Sequence, residues 1–157
     1  VLSEELDLGY VYGNCEDPRL KVVPLTPVRI SVVGPADTEF DTLPADFESR
    51  RRLPWVWPNR DCPFFDFMKD LLGPQASLSE AATSSDDEYS TVVMVKSGMG
   101  FGLVEREFAE QSQSRGGVRI FDDPEMITNL NLICGVRNYE RSELRALFDL
   151  IVSEWKP

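Results

Sequence analysis

The stretch Ser85–Val104, SDDEYSTVVMVKSGMGFGLV, decides how the chain is to be read, because it runs a capped helix directly into a glycine-broken strand. Ser85 and Glu88 have capping-box spacing, Asp86 and Asp87 favour the positive end of a helix dipole, and Tyr89, Val92 and Val93 recur at helical spacing. Gly98 supplies the stop. A dinucleotide-binding loop needs its glycines where a helix begins, so that free backbone N–H groups face a pyrophosphate. Here Gly98, Gly100 and Gly102 follow a helix end, and the nucleotide reading fails on that context.

Outward from this segment the chain alternates between strands and helices. Strand signals occur at Leu6–Tyr12, Leu20–Leu25 and Val28–Val33, followed by a polar, proline-containing loop from Pro35 to Arg52. A strand from Leu53 to Trp57 places Trp55 and Trp57 on one side, where they cover an apolar face. Phe64, Phe67, Met68, Leu71 and Leu72 then keep the spacing of an amphipathic helix that Gly73-Pro74 stops. Leu78–Ser84 reads as a strand feeding the helix from Asp86 to Ser97, and Met99–Val104 as the strand returning from it. Glu105–Gln111 is helical, Val118–Phe121 and Leu130–Val136 are strands, and Ser142 caps a helix with the stripe Leu144, Leu147, Phe148, Ile151 and Trp155. This order predicts an α/β fold with a mixed, mostly parallel sheet and helices on both faces.

Composition bounds what such a chain can do. Its 157 residues can bury a core as one domain or two small lobes, and 42% hydrophobic residues are too many for a disordered segment. No apolar run reaches the roughly twenty residues of a membrane helix and no leader opens the sequence, which predicts a cytoplasmic chain with no membrane partner. The net charge of -11 opposes binding to nucleic acid, and the one basic cluster, Arg50-Arg51-Arg52, reads as a solvated loop neutralising Asp46 and Glu48. Cys15, Cys62 and Cys134 lack metal-ligand or disulfide spacing, and there is no histidine, so no cofactor, metal or disulfide is implied. Cys62, at a predicted helix start, is placed where a thiolate is favoured, although free cysteines are usually buried and inert.

Several segments together resemble the effector-binding domain of LysR-type transcriptional regulators. Ser85–Val104 is similar to that family's helix, V-x-x-G-x-G-x-x-L turn and return strand. Glu5-Leu6-Asp7-Leu8-Gly9 resembles its E-L-D-L-(G/A) strand, which there is the first crossing between two subdomains, and Val32-Val33-Gly34-Pro35 resembles its (V/L)-V-x-P strand end. Leu53–Pro58, Leu130–Arg137 and Ser142–Trp155 follow in the family's order. The resemblance implies a periplasmic-binding-protein-like two-lobed fold. Residues 1–17 and 105–157 would form a first lobe lacking its opening strands, and residues 18–104 the second. It also implies that a winged helix-turn-helix, absent from this chain, carries DNA binding, and that the incomplete lobe favours self-association.

Ligands of open α/β sheets bind at strand carboxyl ends where the connection direction switches, which for two lobes is the cleft between them. Asn59, Arg60, Asp61 and Cys62 would stand there beside free helix amides, and Ser84 and Ser85 would offer hydroxyls at a second helix start. The resemblance adds Tyr12 and Gly13 at the first hinge and Gly100 and Phe101 at the return hinge. The expected partner is a small effector, a carboxylate or other anion. Plainer readings compete: Ser85 as a cap only, Arg60 paired with Asp61 or Asp66, and Tyr12 and Phe101 as packing.

Two other functions compete with this one. Asp86, Asp87 and Glu88 are adjacent on a helix and so diverge, whereas an acid/base pair must converge on one substrate, and no G-x-S-x-G elbow or histidine base is present. That argues against an enzyme. A solute-binding protein of a transporter shares the two-lobed fold, but three unpaired cysteines suit a reducing compartment better than export.

Overall fold

The computed structural model describes Val1, residues 6–76 and residues 83–155. The elements in order are strands β1 (Leu8–Tyr12) and β2 (Leu20–Pro35), helix α1 (Phe47–Arg52), β3 (Val56–Pro58), α2 (Phe65–Leu72), β4 (Thr83–Ser85), α3 (Glu88–Lys96), β5 (Gly102–Glu105), α4 (Arg106–Ser114), β6 (Val118–Gly135), α5 (Val136–Tyr139) and α6 (Ser142–Glu154). They build a four-stranded sheet in the order β1-β6-β2-β5 and a two-stranded sheet of β3 and β4.

The expectation of a mostly parallel sheet is overturned. β1 runs antiparallel to β6, with Leu8 opposite Cys134 and Tyr12 opposite Leu130, and β5 runs antiparallel to β2, with Ile30 opposite Glu105. Parallel pairing is found between β3 and β4 and at a single bridge between Trp55 and Phe101. Alternating apolar patterns fix the order of elements but carry no information about strand direction.

Four expected strands are in fact two. Leu20–Leu25 and Val28–Val33 join into β2 through Pro24 and Pro27, and Val118–Phe121 and Leu130–Val136 join into the 18-residue β6 through Pro124. Proline cannot donate to a ladder, which makes it uncommon inside a paired strand. In β2, Pro24 and Pro27 precede the residues that β5 pairs, Ile30 to Val33, so that ladder does not need their missing N–H groups.

The chain forms two compact units, Val1–Val28 with Ile127–Pro157, and Arg29–Met126. The polypeptide passes between them inside β2 and inside β6. The sequence had instead suggested crossings at Leu6–Tyr12 and Met99–Val104 and lobe boundaries at 17/18 and 104/105. β1 lies wholly in the first unit and β5 wholly in the second.

Each unit has its own core. In the first, Leu132, Cys134 and Phe148 are buried, with Leu8, Val23, Leu25, Tyr139, Ile151 and Val152 packed against them. Leu144 is buried beside Phe148 on the expected stripe of α6, whereas Leu147 and Trp155 are substantially exposed. In the second, Val33, Val92, Val95, Val104, Ala109 and Val118 form a core flanked by Phe108 and Ile120. Beside it, Phe101 packs against Phe40, Trp55 and Phe121 with ring centroids 5.6–5.8 Å apart. Trp55, Val56 and Trp57 are all buried, so β3 is covered on both faces.

The loop expected from Pro35 to Arg52 contains α1. Asp46 caps it by accepting the N–H of Ser49 at 2.8 Å. Its arginines do more than neutralise acids. Arg52 pairs with Glu48 as expected, but Arg50 donates to the carbonyls of Pro44 and Leu71, and Arg51 to that of Leu72. Arg50 and Arg51 therefore satisfy the open C-terminal carbonyls of α2.

Candidate functional site

β3 and β4 run parallel, with Val56 opposite Thr83, Trp57 opposite Ser84 and Pro58 opposite Ser85, so their carboxyl ends come out side by side. Each strand leads into a helix. After β3 the chain turns through Asn59–Cys62, closed by the Cys62 N–H to the Asn59 carbonyl at 2.9 Å, and enters α2. After β4 it enters α3. The two junctions are tied together by the Asn59 N–H donating to the Ser85 carbonyl at 3.3 Å and by the Asn59 amide donating to the Asp86 carboxylate.

The cap of α3 is Asp87, two residues later than the Ser85 the sequence suggested. Asp87, in an extended conformation, accepts the N–H of Ser90 at 2.8 Å and its hydroxyl at 2.7 Å. Ser85 remains in β4, buried, with its hydroxyl donating to the Asp87 carbonyl at 2.9 Å. At the other end the sequence reading holds: Gly98 takes φ +77, its N–H reaches the Val95 carbonyl at 2.9 Å, and the Met99 N–H reaches Met94 at 3.1 Å. These two bonds are those of a Schellman stop.

Asn59, Arg60, Asp61, Cys62, Ser84 and Ser85 thus gather at one end of the second unit. Arg60 is exposed and, among the described residues, pairs with neither Asp61 nor Asp66. Asp61 and Ser84 are also exposed. Tyr12 ends β1 in the first unit and Gly13 follows it, and Asn131 donates to the carbonyls of Val11 and Gly13 at 3.3 and 2.7 Å. Gly100 and Phe101 are core positions. Phe101 is only 4% exposed, and a side chain at Gly100 would meet the Pro54 carbonyl oxygen at 2.4 Å.

The electrostatics of this end are mixed. Hydrogen bonds from Ser90 hold the Asp87 carboxyl below its ordinary range. Burial pushes the Glu88 carboxyl up, against the opposing effect of the Glu105 N–H that its carboxylate accepts. Burial also pushes the Cys62 thiol up, and the nearby Glu88 charge adds to this. The thiolate expected from the helix start is therefore disfavoured, because desolvation outweighs the hydrogen bond from Phe64. Glu88 has capping-box spacing and a place among three diverging carboxylates, but no local spacing reveals its contact with Glu105. Among the described residues no cluster of His, Cys, Asp and Glu could hold a metal ion, and no helix is long and apolar enough to cross a membrane.

The model of the LysR substrate binding domain family matches residues 1–156. Among solved structures, the chain is similar to a hydrogen-peroxide-bound mutant of Corynebacterium glutamicum OxyR, with 20% identity and a TM-score of 0.74 over 98% of this chain and 50% of that one. It is similar to the effector binding domain of QuiR in complex with shikimate, with 15% identity and a TM-score of 0.74 over 96% and 72% of the two chains. The regulatory domain of CrgA, a LysR-type transcriptional regulator from Neisseria meningitidis, matches with 13% identity and a TM-score of 0.69 over 99% and 78%. At such identities the likeness is one of fold. The chain spans about half the length of the Corynebacterium OxyR chains. No curated protein matches it.

Proposed function

The chain belongs to the LysR substrate-binding domain family, and from that premise we propose that it senses a small carboxylate or other anion at the end of the second unit where β3 and β4 finish. The family is regulatory and non-enzymatic, which sets aside both catalysis and the transporter alternative. The observation that carries the ligand reading is the paired carboxyl ends of β3 and β4, which open onto the starts of α2 and α3 beside the exposed Arg60, which has no ion-pair partner among the described residues. Helix starts favour anions through their free N–H groups and dipole, and a guanidinium can grip a carboxylate with two parallel hydrogen bonds.

Arg60 is the anchor in this reading, with Asn59, Asp61, Cys62, Ser84 and Ser85 shaping the surface around it. Tyr12 and Gly13 are the corresponding candidates in the first unit. Binding changes the balance between arrangements of the regulator, and a DNA-binding part outside this sequence responds. Self-association belongs to the same proposal, supported by the exposed Tyr89 and Val93 on α3 and Leu147 and Leu150 on α6.

A thermal-shift screen of small carboxylates tests the reading, with shikimate, the ligand of the QuiR domain, as the first probe. A ligand that binds the folded state raises the melting temperature by mass action. The upward shift should shrink in Arg60→Ala while the ligand-free melting temperature stays put, because the side chain is exposed. An equal shift in both proteins would remove Arg60 from the site.

A further inference from the structure

Glu88 stands in the first turn of α3, about half-buried, yet its carboxylate accepts the N–H of Glu105, where β5 ends and α4 begins. The same helix start is tied to the turn before α2 through Asn59, which bonds the Ser85 carbonyl and the Asp86 carboxylate. Glu88 and Asn59 together thereby link the end of β5 to the two junctions at the ends of β3 and β4. The titratable groups facing Glu88 are Asp87 from its own helix, Glu105 from β5 and Cys62 from the turn before α2. None of these is a cation.

We propose that Glu88 is a proton-operated latch: ionised, it clamps the start of α3 to the end of β5, and protonated, it releases the Glu105 amide and loosens that end of the second unit. A charge-assisted hydrogen bond is roughly twice as strong as a neutral one, so the proton weakens the clamp without removing the side chain. Burial and the neighbouring carboxylates favour that proton, raising the Glu88 titration above its ordinary value of 4.5. The latch concerns the protein alone and stands or falls independently of the ligand assigned to this region.

Its test is an amide titration of the whole chain labelled with nitrogen-15. As pH falls from neutral, the Glu105 amide should shift with an inflection above 4.5, and its hydrogen exchange, corrected for intrinsic pH dependence, should quicken several-fold through the same inflection. Glu88→Gln keeps an acceptor and the fold but cannot titrate, so its Glu105 amide should show neither change. Persistence of the inflection in Glu88→Gln, or a Glu105 amide that is indifferent to pH in the wild type, would overturn the latch.

Discussion

At Gly100, φ is +147 and a Cβ would approach the Pro54 carbonyl oxygen to 2.4 Å, so this residue is required by backbone contact and not by a ligand. Gly100→Ala should cost about 2–4 kcal/mol in urea denaturation, the range for combined backbone strain and overpacking. A variant as stable as the parent would mean that Pro54 and Gly100 do not touch. Cys62 makes a second prediction. Because burial and Glu88 raise its thiol above its ordinary value of 9.0, its alkylation rate should be low at pH 7 and still climbing with pH at 9, as followed by mass spectrometry. A rate already at its plateau at pH 7 would restore the thiolate first expected from its place in the sequence. That expectation failed because spacing locates a helix start but says nothing of how much water reaches it.

Among elements, α1 and α2 are coupled by arginines that sequence reading left in a loop. Arg51→Ala removes the donor to the Leu72 carbonyl and should cost about 1.5–3 kcal/mol, the range for a hydrogen bond to a charged group, measured by chemical denaturation with an unchanged m-value. No change would make the triplet the solvated cluster it was first taken to be. For α3, Asp87→Ala should lower the melting temperature at neutral pH. Since the Asp87 carboxyl is held below 3.8, its contribution is fully present above that value and is lost as pH falls through the lower folded-state value. The two melting curves should therefore converge in acid, and a gap that persists there would show that Asp87 does not act through its charge. What the sequence revealed about elements follows the same physics. The Gly98 stop, the buried face of α2 and the Leu144 and Phe148 part of the α6 stripe were legible because propensity and periodicity are local, whereas Leu147 and Trp155 of that stripe are exposed. The continuity of β2 and β6, the antiparallel pairing and the cap at Asp87 depend on partners far along the chain.

For the molecule as a whole, the family was legible in segment order, and its model covers residues 1–156. The candidate site was legible in part. The segment 59–62 and the pair Ser84 and Ser85 do come together, because the segment follows β3 and the pair ends β4, its parallel partner. Gly100 and Phe101 came from the resemblance and were found packed in the core. The net charge of -11 opposes binding of this chain to nucleic acid. The most direct measurement of the central proposal is an amide chemical-shift map of the chain, titrated with the carboxylate that raises its melting temperature most. The account predicts perturbations centred on Arg60–Cys62 and Ser84–Glu88 and at least about a tenfold weaker affinity, near 1.4 kcal/mol, in Arg60→Ala. Perturbations centred elsewhere, with Arg60→Ala binding as tightly as the parent, would contradict it.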